Sequence, residues 1–157
     1  MTIKDIGPEP IVFNIEDETT ANKAYRRVAW SGKYLQVTLM AIPVGGEIGL
    51  EQHPETDQFL RVEAGTGKVQ MGDKKSKLSF TQQVGPDEVI LVPAGKWHNV
   101  TNVGEEPLKL YSIYAPAHHK PGKVQSTKEI ADRDEEEGRD EPAEWSVQPP
   151  STEPDAH

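Results

Sequence analysis

Two separated stretches of this 157-residue chain supply side chains that commonly bind metals. One runs Gly46-Glu47-Ile48-Gly49-Leu50-Glu51-Gln52-His53, with Gln58 and Gly65 beyond it; the other runs Pro93-Ala94-Gly95-Lys96-Trp97-His98-Asn99-Val100-Thr101-Asn102. The candidate donors are Glu51, His53, Gln58 and His98. Imidazole suits zinc, iron, nickel and copper, whereas a carboxylate or an amide oxygen is a harder donor that also suits iron and manganese. The chain has no Cys, so disulfides, zinc-thiolate sites and thiol nucleophiles are excluded, and any metal must be held by nitrogen and oxygen.

The elements that must position these donors are short. Apolar or alternating runs over 34–40, 58–62, 68–71, 77–80, 88–92 and 108–114 predict strands. Gly45-Gly46, Gly65-Thr66-Gly67, Gly72-Asp73, Gly85-Pro86 and Gly104-Glu105 supply turns between them, at a spacing typical of an all-β barrel or sandwich. Residues 1–22 read as an N-terminal arm in which Ile11-Val12-Phe13 adds at most one edge strand. After Pro116 the aliphatic residues thin out. Ser126-Thr127-Lys128-Glu129 can cap at most a short helix, and 121–157 reads as an acidic, Pro-rich and largely disordered tail.

Length and charge bound the function. One domain is expected, with a core large enough to stand without staples. The net charge of −9 is concentrated at one end: residues 128–157 hold 11 acidic and 3 basic side chains, against 15 and 14 in the first 127. The body is therefore nearly neutral and offers no electrostatic case for nucleic acid. No stretch approaches the length needed to span a bilayer, and 1–5 lack the apolar run of a signal peptide, so a cytoplasmic protein without membrane partners is expected.

The second stretch matches P-x-G-x-x-H-x-x-x-N at every fixed position, and Glu88-Val89-Ile90-Leu91-Val92 leads into it as a strand. It resembles the second motif of the cupin family. The first motif of that family usually reads G-x5-H-x-H-x3-4-E-x6-G; here Glu51 stands in the first histidine place, His53 in the second, and Gln58, seven residues before Gly65, in the glutamate place. The resemblance covers roughly residues 23 to 120 and implies the double-stranded β-helix, or jelly-roll barrel.

On such a barrel, positions two apart on a strand point the same way, so Glu51 and His53 can both face the interior. Gln58 begins the next strand, and His98 comes from one that barrel closure can bring across. The resemblance thus implies one divalent ion (Fe, Mn, Zn or Ni) on two histidines and one carboxylate, the composition of a facial triad, with Gln58 as a weak fourth donor or a hydrogen-bonding neighbour. Glu51 also has the plainer reading of a solvated carboxylate at a strand end. His118-His119, just past the last strand, are expected to be solvated, and Trp30, Trp97, Tyr111 and Tyr114 to be core, interface or cavity wall.

Similar cupins include dioxygenases, isomerases, lyases and cyclases, so the fold does not choose a reaction. Arg61, Lys68, Lys77 and Lys109 are expected to point outward, which counts against a phosphorylated substrate. The expectation is a metal-binding cupin acting on a small molecule, dioxygenase-like or isomerase-like. The alternative is a non-catalytic small-ligand module. A homodimer is the expected assembly.

Overall fold

The computed structural model of the chain describes residues 2–147; the Pro-rich end of the tail and His157 lie outside the described residues. Ten strands form two antiparallel sheets: β1 Arg26–Ser31, β2 Gln36–Ile42, β3 Glu51–Gln52, β4 Asp57–Ala64, β5 Gly67–Gly72, β6 Phe80–Val84, β7 Val89–Val92, β8 Trp97–Asn102, β9 Leu108–Ala115 and β10 Val124–Gln125. One sheet runs β10-β1-β2-β9-β4-β7 and the other β3-β8-β5-β6. This is the jelly-roll barrel that the motif resemblance implies, built from the alternating strands that the sequence predicts.

The period of two decides what fills it. Leu60 and Val62 of β4, Met40 and Ile42 of β2, and Leu108 and Leu110 of β9 turn inward, where they pack with Val69, Val84 and Val100 of the facing sheet. Burying an aliphatic chain of this size contributes about 1.5–3 kcal/mol. The opposite parity of the larger sheet is covered as well: Ala29, Leu39 and Tyr111 form a second cluster with Ile3, against which Phe13, Ile15, Val37, Phe59 and Ile113 pack. Two-sided burial explains why β2 reads as a nearly continuous apolar run.

That outer cluster corrects the reading of the N-terminal arm. Ile11-Val12-Phe13 is not an edge strand; Val12 is almost fully exposed, and the segment leads into a helix, α1 Ile15–Ala21. Asn14 caps it by accepting from the Asp17 amide at 2.9 Å, and Glu16, Asp17 and Glu18 place negative charge at the positive end of the helix dipole. The acidic run is a helix start, and Ile15 is pinned on the sheet.

A second correction concerns the tail. The reading of a largely disordered segment fails for residues 121–147. Val124 and Gln125 add β10 to the edge of β1, and Thr127 caps a helix, α2 Lys128–Glu136, through its hydroxyl to the Ile130 amide. The chain is then tied back at Val147, whose amide donates to the Lys33 carbonyl at 2.7 Å. Aliphatic residues are few here, but polar anchors replace them: Asp134 accepts from Gln125 and Asp140 from His119. Trp145 stays about half exposed and is no anchor. A third departure is local, since the strand expected at 77–80 begins at Phe80, its predecessor Lys77 being taken up in a bridge to Lys74.

Candidate metal centre

Glu51 lies directly opposite His98 in the β3–β8 pair, and directly opposed residues project from the same face of a sheet. His53, two residues after Glu51, returns to that face. The turn that delivers His98 is clasped to this strand, because the Gly95 amide donates to the His53 carbonyl at 2.9 Å and the Gln52 side chain donates to the Gly95 carbonyl at 2.8 Å. Gly95 holds φ at 87°, a left-handed conformation that disfavours any residue with a Cβ.

The result is a cluster in which one ligand atom each from Glu51, His53 and His98 lies within 4.8 Å of the others. Glu51 Oε1 is 3.3 Å from His53 Nε2 and 3.5 Å from His98 Nε2. Both imidazoles are buried, while the Glu51 side chain is 28% exposed and forms the side of the cluster that meets solvent. Burial alone would push the Glu51 carboxyl up, but His53, His98 and the Arg26 charge outweigh it and hold the group well below the usual carboxylate range. An ionised Glu51 is therefore present at neutral pH.

The donor set fits a metal on an observation independent of the motif. His53 Nε2 and His98 Nε2 are buried and face only the Glu51 carboxylate, at 3.3 and 3.5 Å, while Gln58 Oε1 is buried without a hydrogen-bond partner among the described residues. Two imidazole nitrogens, a carboxylate and an unpartnered amide oxygen on the inner face of one barrel form a donor set that could hold a cation. His98 Nδ1 lies 3.1 Å from the Lys96 carbonyl, which makes Nδ1 the protonated nitrogen and leaves the Nε2 lone pair free to ligate. Gln58 faces inward on β4 as its parity requires, donates to Ser112 Oγ at 2.8 Å and keeps its oxygen unused.

Four residues surround the cluster, and of these the sequence offers only Tyr114, as a cavity wall. His118 and His119 are not solvated: the His118 ring centroid is 4.3 Å from that of His53, and His119 is 5% exposed with Nδ1 2.7 Å from Asp140 Oδ2. Burial pushes both imidazoles down, to about 3 for His118 and about 4 for His119, so both are neutral. Tyr114 packs between them and His53, at 5.9 Å from the latter, and burial raises its phenol to about 12. Arg26 of β1 faces inward at 7% exposure. Its parity with Val28 is legible in the sequence. The burial of His119 is not, since Asp140 arrives from the tail.

The other aromatic residues divide. Tyr111 belongs to the outer cluster, Trp30 donates from its indole to the Glu9 carbonyl, and Trp97 lies half-buried beneath Lys75. The motif's final residue, Asn102, is structural: it donates to the Ile42 and Glu106 carbonyls and accepts from the Gly104 amide. Clefts of about 460 and 480 Å³ occur elsewhere on the surface. The space that opens on Glu51 is only about 40 Å³, walled by Tyr25, Arg26, His118 and His119 and roofed by Ala131, Asp132 and Glu135 of α2. Of the candidate donors, Glu51 alone lines this chamber.

Residues 38–114 match the Cupin domain family model, and the chain is 53% identical over 128 residues to the uncharacterized protein YrkC of Bacillus subtilis, covering 82% of this chain and 69% of that one. The chain belongs to the cupin family. The uncharacterized protein L612 of Acanthamoeba polyphaga mimivirus is 38% identical over 115 residues, covering 72% of this cupin and 69% of its relative. Among solved structures, BH2720 of Bacillus halodurans superposes with a TM-score of 0.83 at 59% identity over 83% of this cupin and 99% of that chain. TT1209 of Thermus thermophilus shares the fold at 19% identity, with a TM-score of 0.56 over 67% and 96% of the two chains.

Within this cupin the departures of the first motif have a consistent geometry. Glutamate in the first histidine place keeps one anionic donor beside two imidazoles, and glutamine in the usual glutamate place keeps an inward oxygen without a second charge. No helix among the described residues is long and apolar enough to cross a membrane.

Proposed function

We propose that this cupin is a metalloenzyme acting on a small molecule, with one divalent ion held by Glu51, His53 and His98 and with Gln58 Oε1 as a weaker fourth donor. The observation that carries the reading is the convergence of Glu51, His53 and His98, one ligand atom each within 4.8 Å of the others, beside the unpartnered Gln58 Oε1. A divalent ion there supplies Lewis acidity and, if it is iron or manganese, redox chemistry. Three strong donors leave positions open to a substrate, as dioxygenase-like chemistry requires. An isomerase of phosphorylated sugars is less well served, because the small chamber sets a single cation, Arg26, among the carboxylates Glu51, Asp132, Glu135 and Asp140.

The residues around the donors have definable tasks. Glu51 brings the ligand charge to −1, leaving a net of about +1 on the occupied site. The Lys96 carbonyl fixes the His98 tautomer, and Tyr114 and His118 pack on the flank of His53 and exclude water from it. The tightness of the chamber, about 40 Å³ beneath α2, favours a second reading, a non-catalytic module that holds a small ligand. Oxygen uptake or product formation by the metal-loaded protein with small organic substrates separates the two.

Metal analysis tests the centre itself. Protein purified without chelator should carry close to one divalent ion per chain, and His98→Ala or His53→Ala should lose most of it. Equal metal content in wild type and both variants would refute the assignment.

The assembly belongs to the same proposal. Phe80 on the outermost strand of one sheet and Val89 and Leu91 on that of the other are 44–65% exposed, and a homodimer pairing these edges in the cytoplasm would cover them. Light scattering on wild type and Leu91→Glu tests this; a monomeric wild type would exclude the dimer.

A further inference from the structure

Arg26 is a buried cation that forms no ion pair among the described residues, although Glu51, Asp132, Glu135 and Asp140 line the same chamber. The residue sits on β1, paired with Gln125 of β10, and is 7% exposed. Its guanidinium makes one side-chain hydrogen bond, from an Nη to Gln125 Oε1 at 3.3 Å, and lies 5.3 Å from the centroid of the Tyr25 ring. Its Nε is buried without a partner. Among the described residues no carboxylate forms an ion pair with it. The nearby ones are engaged elsewhere: Glu51 with His53 and His98, Asp140 with His119 and the Lys120 amide, and Asp134 with Lys123, Arg139 and Gln125.

Such an arrangement is costly. A guanidinium does not lose its proton, and here its Nε is buried without a partner while its one side-chain hydrogen bond is long. A partner that arrives from outside resolves the imbalance. The chamber that Arg26 lines is also lined by Glu51, so a molecule entering it meets the guanidinium and the one donor of the cluster that faces this space.

We propose that Arg26 is the anion-recognition residue of this site and that the molecule taken up at the centre is a small carboxylic acid, its carboxylate held by the guanidinium. The inference rests on the metal reading above only for where the rest of the molecule goes. Planar fork geometry matches a carboxylate with two parallel hydrogen bonds, which a single Gln125 amide oxygen cannot provide. The size fits, because about 40 Å³ holds the equivalent of a few waters and therefore an acid of only a few heavy atoms. The exposed Asp132 and Glu135 of α2 at the roof disfavour highly charged anions, so a monocarboxylate is preferred.

The test uses full-length protein loaded with manganese, and titrates acetate and glycolate against neutral acetamide by calorimetry. Both acids should bind and acetamide should not. Arg26→Gln should weaken acid binding at least tenfold at unchanged manganese content. Arg26→Lys, which keeps the charge but loses the fork, should weaken it by a smaller factor, and it decides the question if Arg26→Gln does not fold. Acid affinity unchanged in the folded variants, or no acid binding by manganese-loaded wild type, would overturn the proposal. The two readings fail separately: wild type that takes up none of manganese, iron, zinc and nickel refutes the metal centre, and titration of the metal-free protein and its Arg26 variants still decides the role of Arg26.

Discussion

The side-chain nitrogen of Gln58 donates to Ser112 Oγ at 2.8 Å across the β4–β9 pair, and this leaves the Gln58 oxygen as the atom without a partner. A neutral amide oxygen is a weak donor to transition metals, whereas Glu51 carries the only charge in the set. Glu51→Gln should therefore lower metal affinity on the order of tenfold or more, and Gln58→Ala by less. Competition with a metal-sensitive dye measures both. A larger loss in Gln58→Ala would reverse the roles of these two positions.

Acid should destabilise the protein through His119. Its folded-state pKa is lowered to about 4, by burial first and then by the Arg26 charge, with Asp140 opposing. The unfolded value is about 6.5, so between these limits the unfolded chain binds the extra proton. Stability is fully present above pH 6.5 and falls as the pH drops toward 4, by up to about 1.4 kcal/mol per pH unit from this residue. Urea unfolding at pH 5 and pH 7 should show a smaller difference in His119→Gln than in wild type. The same difference in both proteins would remove His119 from the account.

Removal of residues 128–157 takes away Asp140 and leaves His119 Nδ1 buried without an acceptor. An unsatisfied buried donor costs about 1–3 kcal/mol, and the roof over the chamber is lost as well. The melting temperature should fall by about 5 °C or more. A truncated protein melting within about 1 °C of wild type would show that α2 contributes nothing to the barrel.

Gly95→Ala probes the turn that carries His98. No atom lies within 4 Å of the added Cβ, so the cost is conformational alone, about 1–2 kcal/mol for the left-handed backbone at φ 87°. The melting temperature should drop by about 2–8 °C while bound metal stays near the wild-type level. An unchanged melting temperature would mean that the turn relaxes into another conformation.

Much of the barrel is legible in the chain because strand alternation is a local property. Leu60 and Val62, Leu108 and Leu110, and Gln58 itself all face the side that their parity assigns. The N-terminal arm was misread for an equally local reason: Glu16-Asp17-Glu18 looks like a solvated polar run until Asn14 is recognised as a cap. The tail was misread for a non-local one. A segment poor in aliphatic residues is held by Asp134 and Asp140, and the groups that receive them, Gln125 and His119, become buried only when β10 joins β1.

The sequence by itself determined the alternation that builds the barrel, and the resemblance to the cupin motifs singled out Glu51, His53, Gln58 and His98 as candidate donors. Only the tertiary structure decided how close they come, because Glu51 meets His98 through a pairing of strands more than forty residues apart. It also decided what surrounds them. Arg26 is left without an ion pair, His118 reaches His53, and α2 closes the chamber because sheet closure and the return of the tail bury charges and rings that the linear pattern marks as exposed. Burial belongs to the assembled chain, and it is burial that makes an unpaired guanidinium or an unpartnered amide oxygen a sign of chemistry.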